Sequence, residues 1–102
     1  AMATGALTNW YDGLTPRTVE GPQQWARLFL IPGMLHCAGG QATDQFDMLT
    51  AIQDWVERNR APDRVIASGR AFPGVTRPLC PYPKVARYDS GDPKNAASFS
   101  CR

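Results

Sequence analysis

The chain has 102 residues, 43% of them hydrophobic and 20% charged, with 11 basic and 9 acidic side chains and a net charge of +2. That length holds one small domain, which buries about 65% of the surface its unfolded form exposes. The near-balance of charge, without a basic block, argues against nucleic acid or an anionic membrane as partner. No apolar run approaches the ~20 residues that cross a bilayer.

The first residues, AMATGALTNW, lack the basic segment and long apolar core of a signal peptide, so the sequence reads as unexported or as lacking its export segment. Leu7, Trp10, Tyr11 and Leu14 follow the i, i+3, i+4, i+7 spacing, which predicts an amphipathic helix over residues 4–14, ended at Thr15-Pro16. Glu20-Gly21-Pro22 marks a turn. Trp25–Ile31 is a nearly continuous apolar run closed by Pro32-Gly33, the pattern of a buried strand in a parallel sheet covered on both faces. After the loop that follows, Thr43 or Asp44 is placed to cap a helix with Phe46, Leu49, Ile52 and Val56 as its apolar stripe, flanked by Met48 and Trp55. Arg58 and Arg60 suit the negative end of its dipole and Ala61-Pro62 stops it. Arg64–Ala67 reads as a short strand. From Gly69 onward the chain is Pro-rich without a clear period, and only Val85–Tyr88 suggests a strand. The order is α/β in character: residues 1–68 form a helix–strand–helix core and residues 69–102 a Pro-rich tail packed on it, one incomplete domain. A parallel strand needs neighbours reached by crossovers, and this chain offers one convincing strand.

The candidate chemistry centres on PGMLHCAGG, residues 32–40, which contains the single histidine, His36, next to Cys37. A zinc set of three Cys and one His is nominally present, but His36 and Cys37 are adjacent with diverging side chains, and Cys80 and Cys101 are far apart. Structural zinc sites use C-x₂₋₄-C or H-x₃₋₅-H pairs, so no metal is expected. Cys80 and Cys101 bracket a segment with little core of its own and read better as a disulfide, closing a loop for ~3 kcal/mol; two buried free thiols are the alternative. A Cys37 nucleophile with His36 as its base is disfavoured, because neighbouring side chains rarely face each other. Loops at the carboxyl end of a buried strand are where α/β folds hold their sites, which raises the case for a catalytic role of His36, with a plain surface histidine as the alternative. The serines, Ser68, Ser90, Ser98 and Ser100, lack a nucleophile-elbow context, and the first 35 residues contain no serine and only Asp12 and Glu20 as acids. No Ser–His–acid triad can be completed within the chain. Gly39-Gly40 reads as loop geometry, without a phosphate-binding motif around it.

The stretches RLFLIPGMLHCAGG, ATDQFDMLTAIQDWVERNRAPDRVIA, TRPLCPYPKVARY and SGDPKNAASFSC, with TGALTNWYDGL before them, resemble in order the C-terminal region of the tannase and feruloyl esterase family. These are secreted α/β-hydrolases that include the esterase of mono(2-hydroxyethyl) terephthalate. The resemblance covers nearly the whole chain. It implies a C-terminal fragment of an α/β-hydrolase fold, belonging to a serine carboxylic ester hydrolase acting on esters of aromatic acids, exported to the exterior or the periplasm. His36 falls at the position of the catalytic base. Cys37 falls at one half of a disulfide whose other cysteine adjoins the nucleophilic serine, and Cys80 and Cys101 fall at a second bridge. By the same resemblance the serine and its cysteine lie upstream, the triad acid falls just before Ala1, and the lid domain with its calcium site is absent, so no cofactor is expected in this chain. Asp12 is expected on the exposed side of the first helix, not as the acid. The isolated chain is expected to be inactive. A reading of another class is a non-catalytic binding or self-assembling module, in which the Arg27–Ile31 strand or an apolar face drives homo-oligomer formation.

Overall fold

The structure, a computed structural model, describes residues 4–15 and 19–102. The first helix, α1 (Thr4–Asp12), forms where the apolar spacing predicted it. Its stripe is only partly covered. Tyr11 is buried, packs edge-on against Tyr82 at 5.9 Å and donates a hydrogen bond to the Ala26 carbonyl at 2.8 Å, while Trp10 stays 58% exposed. The helix ends at Asp12, with Gly13 and Leu14 closing its last turn, and Pro16 lies outside the described residues.

The run Trp25–Ile31 departs from the buried parallel strand its composition suggested. A single helical turn of the tight 3₁₀ kind, Pro22–Gln24, leads into an extended segment whose one ladder contact is an antiparallel bridge, Phe29 to Pro81. Residues 26–31 are half-buried. The physical reason is the lack of neighbours among the described residues: a strand buried on both faces has a strand along each edge and a layer over each face, and here residues 81–82 supply one edge. Arg27 anchors the start of the segment, with its guanidinium 2.7 Å from both the Pro62 carbonyl and Asp63 and 5.3 Å above the Trp55 ring.

Helix α2 (Met48–Arg58) forms as the periodicity predicted, but neither its cap nor its buried face is the expected one. Asp47, not Thr43 or Asp44, caps it: Asp47 accepts hydrogen bonds from the Thr50 N–H at 2.9 Å and the Thr50 hydroxyl at 2.6 Å. Asn59, left-handed at φ 54°, ends it, with the Arg60 N–H returning to the Asp54 carbonyl before Pro62 bars continuation. Met48 and Ala51, together with Phe46, pack on the core, whereas Leu49, Ile52 and Val56 are 77%, 50% and 77% exposed. The stripe that sequence spacing assigned to the core thus faces outward in this chain. The Thr50 hydrogen bonds hold the Asp47 carboxyl below its ordinary value of 3.8. Because folding lowers this pKa, the cap is fully effective above the unfolded value and is lost as pH falls through the lower folded value. Acid titration should therefore fray α2 below about pH 4, and Asp47→Asn, which caps without titrating, should flatten that part of the far-UV circular dichroism curve. An unchanged titration would contradict the role of the carboxylate.

Two small antiparallel sheets follow. Strand β1 (Val65–Ala67) pairs with β2 (Arg77–Leu79) in the register Val65–Leu79, and β3 (Ala86–Tyr88) pairs with β4 (Phe99–Cys101) in the register Ala86–Cys101. Val65, Ala67 and Leu79 form the core, joined by Phe29, Ile31, Phe46, Met48 and Ala51. The Cys80–Cys101 disulfide fastens the end of β2 to β4, and Arg77 lies 4.3 Å over the Phe99 ring between the same two strands. No helix among the described residues is long and apolar enough to cross a membrane.

Candidate functional site

The histidine loop leaves the extended segment through Pro32-Gly33 and returns beside it. The Met34 N–H bonds the Ile31 carbonyl, Met34 bridges Gly40, and the Leu35 N–H bonds the Gly39 carbonyl at 3.1 Å. Its neck is built from glycine. Gly33 and Gly40 are left-handed at φ 77° and 84°; a Cβ on Gly33 would collide with the Gln41 carbonyl, one on Gly40 with the Gly33 carbonyl, and one on Gly69 with the Ala42 carbonyl. Three backbone segments therefore meet at separations that only hydrogen side chains permit. Asp44 closes the far side, its carboxylate accepting the Gly39 N–H at 2.7 Å. This explains why Asp44 does not cap α2: its side chain is committed to the loop. Gly40→Ala brings both the backbone strain and the collision, and should lower stability by about 1–3 kcal/mol, read as a fall in the urea midpoint. A variant as stable as the parent would contradict the tight neck.

At the tip, His36 and Cys37 are exposed. The Ala38 N–H bonds the His36 carbonyl at 2.9 Å across Cys37, whose φ is 68°. This is a three-residue γ-turn of the rarer, left-handed kind. The turn corrects the expectation that the neighbouring side chains diverge: with Cys37 in left-handed backbone, its Sγ sits 3.0 Å from His36 Nδ1. Cys37 is a free thiol. Cys80 and Cys101, bonded to each other, are no longer available to the nominal Cys₃His set, and no group of three or more His, Cys, Asp or Glu among the described residues is placed to hold a metal.

No carboxylate is hydrogen-bonded to His36 among the described residues. Asp12 lies exposed at the end of α1 and accepts the Tyr82 hydroxyl at 3.0 Å; that bond raises the Tyr82 pKa above 10.0. Ser68, Ser90, Ser98 and Ser100 make no hydrogen bond to the imidazole either. The site thus presents one ring nitrogen, Nδ1, toward a thiol, and leaves Nε2 without a partner among the described residues. An imidazole so placed can accept and return a proton, but only for a nucleophile brought to it. Next to the neck lies an apolar hollow of about 610 Å³, walled by Leu30, Phe72, Leu79, Tyr82 and Val85, and His36 is not on its lining. Sequence reasoning singled out His36 and Cys37 but missed Asp44, Gly33 and Gly69 as the parts that hold them. The G-x₆-G spacing of Gly33 and Gly40 around His36, with an acid four residues beyond, was the available signal.

Residues 7–102 match the family described as tannase and feruloyl esterase. Among characterised relatives, the mono(2-hydroxyethyl) terephthalate hydrolase of Piscinibacter sakaiensis is 56% identical over 89 residues, covering 81% of this chain and 15% of that protein. A probable feruloyl esterase of Arthroderma benhamiae is 41% identical over 81 residues, covering 74% of this chain and 15% of that protein. In solved structures, feruloyl esterase B from Aspergillus oryzae superimposes with a TM-score of 0.76 at 23% identity, over 98% of this chain and 24% of the esterase. An esterase from the same organism gives 0.78 at 22% identity, with the same coverage. The expected fold, of the α/β-hydrolase type, is therefore the one observed, and the chain spans between about a seventh and a quarter of the length of the proteins it matches. With the family sequence matched from Leu7 to the last residue and the same backbone found in its solved esterases, the chain belongs to the tannase and feruloyl esterase family.

Proposed function

We propose that this chain supplies the general base of a serine carboxylic ester hydrolase acting on esters of aromatic acids, and that it is inactive alone. The observation that carries the reading is the presentation of His36: a single imidazole at the tip of a pinned loop, its Nε2 without a partner among the described residues, in a chain of an esterase family. In this reaction the base takes the proton from a serine hydroxyl as it attacks the ester carbonyl, then returns it to the leaving alcohol; a carboxylate on Nδ1 holds the tautomer and steadies the imidazolium. Both partners come from the portion of the enzyme outside this chain. In the isolated chain the Cys37 thiol stands where that carboxylate would bind. Pairing of Cys37 with a cysteine beside the nucleophilic serine would draw the sulfur off Nδ1 and tie the base loop to the nucleophile in one step. The disulfide at Cys80–Cys101 fits an oxidising compartment, and so an exported parent. The activities for which the relatives are named, on a terephthalate half-ester and on feruloyl esters, point to an aromatic acyl group.

The test is a hybrid in which the 102-residue chain replaces the segment of the Piscinibacter hydrolase that matches it. The hybrid should hydrolyse mono(2-hydroxyethyl) terephthalate or an alkyl ferulate, and the 102-residue chain alone should turn over neither. Turnover by the isolated chain, or a folded hybrid without any, would overturn the reading.

A further inference from the structure

The tip of the histidine loop is a small body closed on itself. The Leu35 N–H bonds the Gly39 carbonyl across it, the Ala38 N–H bonds the His36 carbonyl within it, and Cys37 Sγ rests against His36 Nδ1. Residues 35–38 are exposed, so packing does little to fix them. Two tip residues, Cys37 at φ 68° and Gly39 at φ 87°, hold left-handed backbone. For Cys37, which carries a Cβ, that conformation persists only where the surroundings enforce it. Among the described residues, one hydrogen bond leaves this body: the Gly39 N–H donates to the Asp44 carboxylate at 2.7 Å.

Asp44, half-buried, is itself held from both sides. Before it, Ala42 is 2% exposed and its carbonyl lies against Gly69. After it, Gln45 and Ser68 exchange both N–H···O bonds, at 2.8 and 2.9 Å, immediately beyond the end of β1. The carboxylate therefore stands on the β1–β2 core, and a short, charge-assisted hydrogen bond carries that rigidity to Gly39. From Gly39 to His36 there is only the γ-turn.

We propose that Asp44 is a positioning residue for His36: through the Gly39 N–H it fixes the loop tip to the end of β1, and so sets where the imidazole stands when a serine is brought to it. The proposal rests on the esterase reading above and gives a role in rate to an acid that touches neither the imidazole nor the ester. A bond from Cys37 to the nucleophile side would hold the tip at one point, about which it could still turn. The Asp44 tether supplies the second point. Displacing a base by about 1 Å costs on the order of a hundredfold in rate.

In the hybrid, Asp44→Ala should lower kcat for ester hydrolysis by about 10–100-fold with KM within a few-fold. Asp44→Asn, whose amide oxygen accepts the same N–H, should bring kcat back to within a few-fold of the parent. In a His36→Ala background, Asp44→Ala should change the residual kcat by less than about twofold, because the acid acts through the base. Cys101→Ser, which weakens the fold without touching the loop, should keep kcat at a temperature where both variants are folded. Equal losses in the Ala and Asn variants, an Asp44→Ala loss as large without His36 as with it, or a raised KM at unchanged kcat would overturn the proposal.

Nuclear magnetic resonance on the 102-residue chain reads the tether without catalysis. The Gly39 amide should exchange with deuterium more slowly than that of Cys37, which has no acceptor among the described residues. Asp44→Ala should remove that difference and shift the His36 ring resonances, and Asp44→Asn should preserve both. A Gly39 amide that stays slow without Asp44, or ring resonances that do not move, would overturn the proposal. A parent hybrid that folds without hydrolysing ester removes the esterase reading, and the exchange and ring-shift results then decide the tether by themselves.

Discussion

His36→Ala in the hybrid enzyme is expected to lower kcat for ester hydrolysis by about four to six orders of magnitude while leaving KM within a few-fold. The size follows from the division of labour in a triad. Removing the base leaves the serine hydroxyl without a proton acceptor, and only oxyanion stabilisation and substrate binding remain. The split between kcat and KM separates this from a folding defect. His36 is exposed at the tip of its loop, so its loss opens no cavity, and the neck formed by Gly33, Gly40, Gly69 and Asp44 makes no use of the imidazole. Steady-state kinetics on an aryl ester, with a circular dichroism spectrum of each protein, read the effect. A loss smaller than about a hundredfold would place the base elsewhere.

The second large effect is on stability. Cys101→Ser should cost about 3 kcal/mol, because the bridge to Cys80 closes a loop at a sequence separation of 21. In a chain whose whole stability is of order 5–15 kcal/mol, that is a large share. The local structure offers little to replace it. Strand β4 is three residues long, pairs only with the equally short β3, and reaches the β2 core through the disulfide, the Arg77–Phe99 stack and the Arg64 guanidinium on the Ala96 and Phe99 carbonyls. The melting temperature should fall by roughly 10–25 °C, given 4–8 °C per kcal/mol for a domain of this size. Cys37→Ser, which removes the free and exposed thiol, should leave it in place. A Cys101→Ser variant that melts within about 4 °C of the parent would mean that the tail is held by its packing alone.

Much of the fold was legible where a regular period ran long enough. Helix α2 announced itself through apolar spacing and Pro62, and α1 through Leu7, Trp10, Tyr11 and Leu14. What spacing could not supply was the identity of the covered side. Spacing marks Leu49, Ile52 and Val56 as an apolar stripe, but it carries no information on which apolar positions these 102 residues cover, and here all three stand exposed. Similarly, Trp25–Ile31 carries the composition of a strand buried on both faces, yet among the described residues it pairs along one edge only. Strands β2 and β4 gave no period to read, being three residues each, one with Pro78 at its centre. The histidine was visible as chemistry in an apt context, since a buried-type run led straight into its loop. The device that holds it was not, because Gly33, Gly40 and Gly69 reveal their purpose only when residues 33, 40–42 and 69 are brought together in space. Asp44 was noticed but given to the wrong partner: it sits near a helix start, and only the structure shows that Asp47 takes the cap and Asp44 the loop.

The central claim, that His36 is the proton acceptor for a serine carried outside this chain, is a statement about one distance. A crystal structure of the hybrid measures it. The account predicts His36 Nε2 within about 2.6–3.2 Å of the nucleophilic serine Oγ, a carboxylate on Nδ1 where the Cys37 thiol now stands, and Cys37 bonded to the cysteine beside that serine. An imidazole turned to solvent, with Oγ out of reach and another base against the serine, would contradict it.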